Sequence, residues 1–498
     1  MGFGSGVDWP AARCVLAGTL LSAALYGGAL AARDIGSDAR ELTVARLQAE
    51  LATHRTSVRS IEAHYAARIA ALDARGPTLR SVLEVNPDAA AIAAQLDSAG
   101  GPRGPLYGVP VLLKDNIDTA DRMLTTAGSL ALVDSKPARD AFIVQRLRAA
   151  GALILGKTNL SEWANYRSKR SSSGWSGRGG QTKNPYVLDR NPCGSSSGSG
   201  TAIAADLALV AVGTETDGSI TCPASVNGLV GIKPTVGLIS RSGIIPIAAS
   251  QDTAGPMART VADAATLLTV LAGYDPDDPA TAPLRERPPP DYSRFLDAAG
   301  LKGARIGVMR HFAGFHEEVD ALFERALAAL RSGGAVLVDP ADIANAVQDL
   351  IAFDDREAGR EMPFFRQELF LDAQASAGLT DSKYLEAHLR SHRLAAREGI
   401  DAALAKDHLD ALVAPTVGPA WTTDPLNGDH VVGGGVTTPP AVAGYPHITV
   451  PMGAVHGLPV GLSFVGAAWN EGRLVSYAYA YEQTTHARQP PQFRPTEP

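Results

Sequence analysis

The sequence predicts an α/β enzyme fold, and three observations carry the expectation. Short apolar runs alternate with segments of helical length, as across 141–155 and 201–212, the order expected when helices pack over a sheet. Hydrophobic residues make up 45% of the chain and charged residues 19%, which excludes a disordered or fibrous polypeptide. The 498-residue length, with 50 Gly and 33 Pro, suits a large, loop-rich enzyme with a sizeable core.

From Glu41 to about Ala74, apolar residues including Leu42, Val44, Leu47, Leu51, Ile61, Ile69 and Leu72 recur at helical spacing among Arg, Glu and Gln, predicting outer helices. Leu106–Leu113 reads as a strand interrupted by Pro110, and Ala152–Leu155 as a second. A helix is expected at 141–150 between them. Thr201–Asp206 is helix-prone and Leu207–Val212 strand-like; another helix is expected over Val261–Ala272. Pro288-Pro289-Pro290 marks a surface connection, helices are expected through much of Glu317–Asp407, and Leu412–Ala414 and Ile448–Val450 read as strands. There is no internal repeat.

The N-terminus has a different character. Arg13 precedes an apolar stretch from Cys14 to Leu30 that ends in Ala29-Leu30-Ala31. This pattern predicts a signal peptide over 1–31, export to the periplasm or beyond, and one domain over 32–498. An uncleaved membrane anchor is the alternative. The formal net charge of −7 lacks the basic stripe that nucleic acid requires, so small solutes or peptides are the expected partners. Beyond the leader only Cys193 and Cys222 remain; two small buried thiols are the favoured reading, with a disulfide the alternative in an oxidising compartment.

Reactive side chains concentrate in three segments: Gly108–Asn116, Cys193–Gly200 and Gly213–Ile220. The second has linker-like composition, but it also fits a nucleophile elbow centred on Ser196, which would need a histidine from the later chain. No histidine occurs between His64 and His311. His388 and His392 have the spacing of helical metal ligands but lack the intervening glutamate of a zinc protease, so no metal is expected. Lysine is scarce, with nine residues in the chain, and Lys114 follows an apolar run. Burial there would depress its pKa and make it an accessible base. An ion pair with Asp115 or Asp118 is the competing reading.

Taken together in this order, the three segments resemble the amidase signature family. Lys114 falls on the family lysine and Ser195 on its bridging serine. Ser219, 24 residues further on, falls on the nucleophile. The likeness continues through Gly156–Asn159, Asn184-Pro185, Gly231–Thr235 and Gly255–Val261, and returns in Ala414–Thr416, Tyr445-Pro446, Val450-Pro451 and Gly457–Gly461. Cys193 and Ser197 stand where glycines are usual, and Asp217-Gly218 replaces a glycine pair. These departures are similar to the peptide amidases, which remove ammonia from C-terminally amidated peptides. Asn159–Asn165, Ser173–Ser176 and Gly179–Thr182 are similar to that group as well.

The resemblance implies a mixed β-sheet covered by many helices and a Ser-cisSer-Lys triad that needs no cofactor. Ser195 would relay protons between Ser219 and Lys114, with Gly194 easing a cis peptide. The backbone amides of Thr216, Asp217, Gly218 and Ser219 would surround the oxyanion, and Thr214 would support the site by hydrogen bonding. The Asp217 side chain would shape the turn or repel a substrate carboxylate. Trp163 and Trp175 would either line the cleft or pack in the core. The implied substrate is an amidated peptide or small amide, with no obligate partner subunit. A broader amidase or esterase, or the ammonia-generating subunit of a tRNA-dependent amidotransferase, are the alternatives.

Overall fold

Eleven strands form one mixed sheet in a computed structural model that describes residues 41–99, 103–341, 369, 380–431 and 433–496. In chain order the strands are β1 (Val82–Val85), β2 (Pro110–Lys114), β3 (Leu153–Thr158), β4 (Trp175–Ser176), β5 (Gly180–Gln181), β6 (Val210–Glu215) and β7 (Val230–Lys233). These are followed by β8 (Thr253–Ala258), β9 (Arg305–Val308), β10 (Val336–Val338), β11 (Ala411–Pro415), β12 (His447–Val455) and β13 (Leu458–Val465). The large sheet is ordered β1-β3-β2-β6-β8-β7-β12-β13-β11-β9-β10, and β4 and β5 make a separate two-stranded ribbon. This is the α/β architecture expected from the sequence.

β2 lies between β3 and β6, parallel to both. Every residue of β2, β3 and β6 is buried, as expected for strands covered on both faces. Pro110 is tolerated because it opens its strand. The predicted run beginning at Leu106 therefore becomes strand only from Pro110, since Gly108 turns the chain at φ +69°. Likewise, Leu207–Val212 becomes strand only from Val210, and it continues through the polar residues Thr214 and Glu215.

The expected helices form at Val44–Ala52, Val58–Arg68, Phe142–Ala149, Ser197–Ala204 and Val261–Leu271. The last starts with Thr260 accepting from the Asp263 amide, the usual satisfaction of an orphan donor. Helix Glu317–Ser332 carries three acidic residues in its first turn and buries Val319, Leu322, Phe323, Ala326, Leu327 and Leu330, joining dipole complementarity to an apolar stripe. Helices Ser382–Ala395 and Asp401–Lys406 follow; the rest of the helical expectation between them and residue 341 lies outside the described residues, as does the predicted signal peptide. Among the described residues no helix is long and apolar enough to cross a membrane.

The expectation of two free thiols is corrected. Cys193 and Cys222 form a disulfide, with Cα atoms 6.0 Å apart. Two cysteines in so long a chain give no framework pattern, and their pairing arises because the loop before helix Ser197–Ala204 abuts the short helix Thr221–Val226.

Candidate active site

The polar ends of three parallel strands bring the site together. β2 ends in Lys114, β3 in Lys157-Thr158 and β6 in Thr214-Glu215, at the carboxyl edge where open α/β sheets place their ligands. Lys114 is fully buried. Its Nζ donates to Ser195 Oγ at 2.7 Å, to Thr214 Oγ1 at 2.8 Å and to the Thr214 carbonyl at 3.1 Å. No carboxylate is among these partners, so the ion pair with Asp115 or Asp118 does not form. Loss of hydration lowers the Lys114 pKa to about 7, against the opposing pull of Glu215 and Asp252.

Ser195 reaches this lysine from a loop whose shape depends on its neighbour. The Gly194–Ser195 peptide is cis. A Cβ on Gly194 would lie 2.2 Å from Ser161 Oγ and 3.0 Å from both Ser173 Oγ and Ser197 Oγ, so the close serine packing admits only glycine. The Ser161 amide donates to the Ser195 carbonyl at 3.1 Å.

Ser219 comes from the turn that follows β6. The Ser196 amide donates to the Ser219 carbonyl at 3.1 Å, joining this turn to the Ser195 loop. Gly218 holds φ +74°, a conformation that glycine adopts without penalty. Glu215 Oε2 accepts from the amides of Ile220 at 2.7 Å and Thr221 at 2.9 Å, so one buried carboxylate clamps the turn across its base. Sequence reading gave Glu215 no role, although it stands inside the Gly213–Ile220 segment. Thr216 donates its hydroxyl to Asp252 Oδ1 at 2.6 Å, and Asp252 Oδ2 accepts from the amides of Ile247 and Ala248. No local pattern pointed to Asp252. Asp217 is exposed, with Oδ2 accepting from Thr438 Oγ1 at 2.7 Å.

The two serines after Ser195 are placed differently from Ser219. Ser196 is completely buried, donating to the Thr214 carbonyl at 3.1 Å and accepting from the Thr214 amide at 3.2 Å. Ser197 donates to the Cys193 carbonyl at 2.6 Å. Ser219 keeps 8% exposure. His447 is buried against Ser463 Oγ at 2.6 Å, with burial and Lys233 lowering its pKa to about 3.

A cleft opens beside Ser195, Thr214 and Thr216, with Ser219 outside its lining. Asn116, Ser195, Thr214, Glu215 and Thr216 line it beside the apolar Ile244–Ile247, and the charged Arg241, Asp252, Asp277 and Asp278 line it as well. Neither Trp163 nor Trp175 lines it; Trp175 instead lies beneath the Arg167 guanidinium, 5.4 Å from the ring centre. His388 and His392 lie on helix Ser382–Ala395 with ring centres 6.5 Å apart, and among the described residues no three His, Cys, Asp or Glu side chains converge as a metal site.

Comparison with known proteins gives this arrangement its family. The family model described as Amidase matches residues 63–475. The chain belongs to the amidase family. It is 40% identical over 469 residues to a protein of Arabidopsis thaliana named as a probable amidase, covering 85% of this chain and 86% of that one. It is 36% identical to one of the subunits of the glutamyl-tRNA(Gln) amidotransferase of Ralstonia nicotianae, covering 90% and 99%. Among solved structures, native peptide amidase from Stenotrophomonas maltophilia superimposes with TM-score 0.83 at 51% identity, covering 91% of this chain and 99% of that one. This amidase is thus similar both to proteins named as amidases and to one named as part of an amidotransferase.

Proposed function

We propose that the protein hydrolyses the C-terminal carboxamide of peptides, releasing peptide acid and ammonia. The observation that carries the reading is the fully buried Lys114, its pKa lowered to about 7 and its Nζ 2.7 Å from Ser195 Oγ. The peptide specificity draws support from the 51% identity to peptide amidase over 91% of the chain.

The steps follow from the residues. Neutral Lys114 takes the Ser195 hydroxyl proton as Ser195 takes that of Ser219, and Ser219 Oγ bonds to the amide carbon. The backbone amides of Thr216, Asp217, Gly218 and Ser219 receive the developing oxyanion, where one donor contributes about 2.7–4 kcal/mol. Return of the proton through Ser195 to the amide nitrogen lets the C–N bond break and ammonia leave. Water then attacks the acyl-Ser219 ester, losing its proton along the same route and restoring Ser219. Gly194 and Thr214 support this relay, and it uses only side chains and backbone of the chain itself.

Incubation with an amidated peptide and with its free-acid counterpart tests the proposal. Ammonia release from the amide is expected, with inhibition by chymostatin, a competitive inhibitor of the related peptide amidase. Turnover of simple aryl amides or esters without any from amidated peptides would favour the broader amidase reading. Ammonia production only within a copurifying tRNA-dependent complex would favour the amidotransferase reading.

We further infer that the chain works after export as a domain spanning 32–498. The Cys193–Cys222 disulfide supports this, since such bonds persist in oxidising compartments. Mass measurement of the mature protein should place its N-terminus at Ala32; an intact leader on cytoplasmic protein would refute export.

A further inference from the structure

We infer that Asn116 recognises the amide nitrogen of the substrate, accepting a hydrogen bond from its N–H through Oδ1 and so selecting primary carboxamides over esters. The inference rests on the proposed hydrolysis at this site and goes beyond it by assigning the leaving-group contact.

Asn116 follows β2 by two residues and lines the cleft, although it is only 4% exposed. Its carboxamide has a fixed orientation. Nδ2 donates to Thr214 Oγ1 at 3.1 Å and approaches the Ile245 carbonyl at 3.5 Å. The reversed orientation would set two carbonyl oxygens against each other. Oδ1 consequently remains as a buried acceptor with no partner in the protein. A buried polar atom of this kind is uncommon in folded proteins, and a ligand is one way to satisfy it.

Its position gives the acceptor a reaction coordinate. Thr214 Oγ1 accepts from both Asn116 Nδ2 and Lys114 Nζ, and Lys114 also holds Ser195. Asn116 thus shares an acceptor with the lysine that returns the proton, in a cleft that Ser195 also lines. A carboxamide presents two N–H donors, and its nitrogen gains a proton and positive character as the C–N bond weakens. An oxygen acceptor beside it strengthens in the transition state, the condition under which a contact accelerates reaction. An ester places a lone-pair oxygen there instead, leaving Oδ1 unpaired.

The test compares Asn116→Leu with wild type on a matched primary amide and methyl ester of one acyl group, chosen as a group that wild type turns over. Both substrates are measured on the same preparation, so any loss of folded protein cancels from the ratio of their kcat/KM values. The amide-to-ester ratio is expected to fall roughly tenfold, the scale of one hydrogen bond. An unchanged or increased ratio would overturn the role of Asn116. Absence of wild-type turnover on amidated peptides would count against the peptide reading alone, because the ratio stays readable on a small acyl amide.

Discussion

Lys114 and Lys157 occupy neighbouring strands of one sheet, with Leu113 opposite Lys157 and Lys114 opposite Thr158, yet their surroundings differ. Both are fully buried, and burial lowers their pKa values to about 7 and about 8. Lys157 donates to the Ile117 carbonyl at 2.6 Å and Thr125 Oγ1 at 2.9 Å, among the charges of Asp115, Asp121, Asp118 and Glu84. Lys114 instead meets two hydroxyls, one of them on the residue that follows a cis peptide. Burial makes each lysine easier to deprotonate; the neighbouring hydroxyl of Ser195 is what gives deprotonated Lys114 a proton to take.

The largest effects should fall on the Lys114 side. Lys114→Ala and Ser219→Ala are each expected to lower kcat by about 10³-fold or more, as removal of one member of a cooperating nucleophilic set does. Steady-state kinetics on an amidated peptide would measure this. Equal loss from Lys157→Met would break the comparison. The pH profile sharpens it further. Lys114 must be neutral to act as base, so kcat/KM should climb as pH rises towards about 7 and level off above it. Lys157→Met should leave that midpoint in place. A profile that falls as pH rises through 7 would contradict the assignment of Lys114 as base.

The sequence made the two sides unequally legible. Apolar runs marked the strand interiors around Val111 and Ile154, because burial on both faces demands them. They stopped short of Thr214 and Glu215, where the strand continues into polar residues that the site uses. Local chemistry could not choose between an ion-paired and a hydroxyl-bonded Lys114, since the choice depends on Ser195 arriving from 81 residues away. The resemblance of three spaced motifs did bring Lys114, Ser195 and Ser219 into view together. Asp252 and the Ile244–Ile247 wall stayed hidden because their roles arise from contacts made only in the folded chain. Free thiols were preferred to the Cys193–Cys222 pairing for the same reason.

On the Lys157 side the expected effect is on stability. Asp115 is buried, and Lys157 is the strongest of the positive charges that counter its loss of hydration, ahead of Arg178. Lys157→Met would leave that carboxyl with Arg178, 3.5 Å away, as its remaining counter-charge and strip the Ile117 carbonyl and Thr125 hydroxyl of a donor, at a cost of about 1–3 kcal/mol. Denaturant unfolding should report the loss, while kcat per folded molecule falls far less than in Lys114→Ala. Unchanged stability would show that Asp115 is carried by the hydrogen bonds it accepts from Thr126 and Gly128 and by its ion pair with Arg178.

The smallest effect is expected at Ser196, and it bears on how the Lys114 cluster is held. Ser196 Oγ gives and receives one hydrogen bond with the Thr214 backbone, and Thr214 in turn supplies two of the three acceptors of Lys114. Ser196→Ala would therefore strip two buried backbone groups of a partner, costing about 1–3 kcal/mol in unfolding. The proposed reacting atoms would remain, because Ser195 Oγ, Lys114 Nζ and Ser219 are untouched, so kcat should fall less than about tenfold on the scale of catalytic-residue losses. An elbow centred on Ser196 demands the reverse, with collapse of turnover at unchanged stability. Measuring kcat and the denaturant midpoint on the same variant separates an anchor of the lysine from a nucleophile.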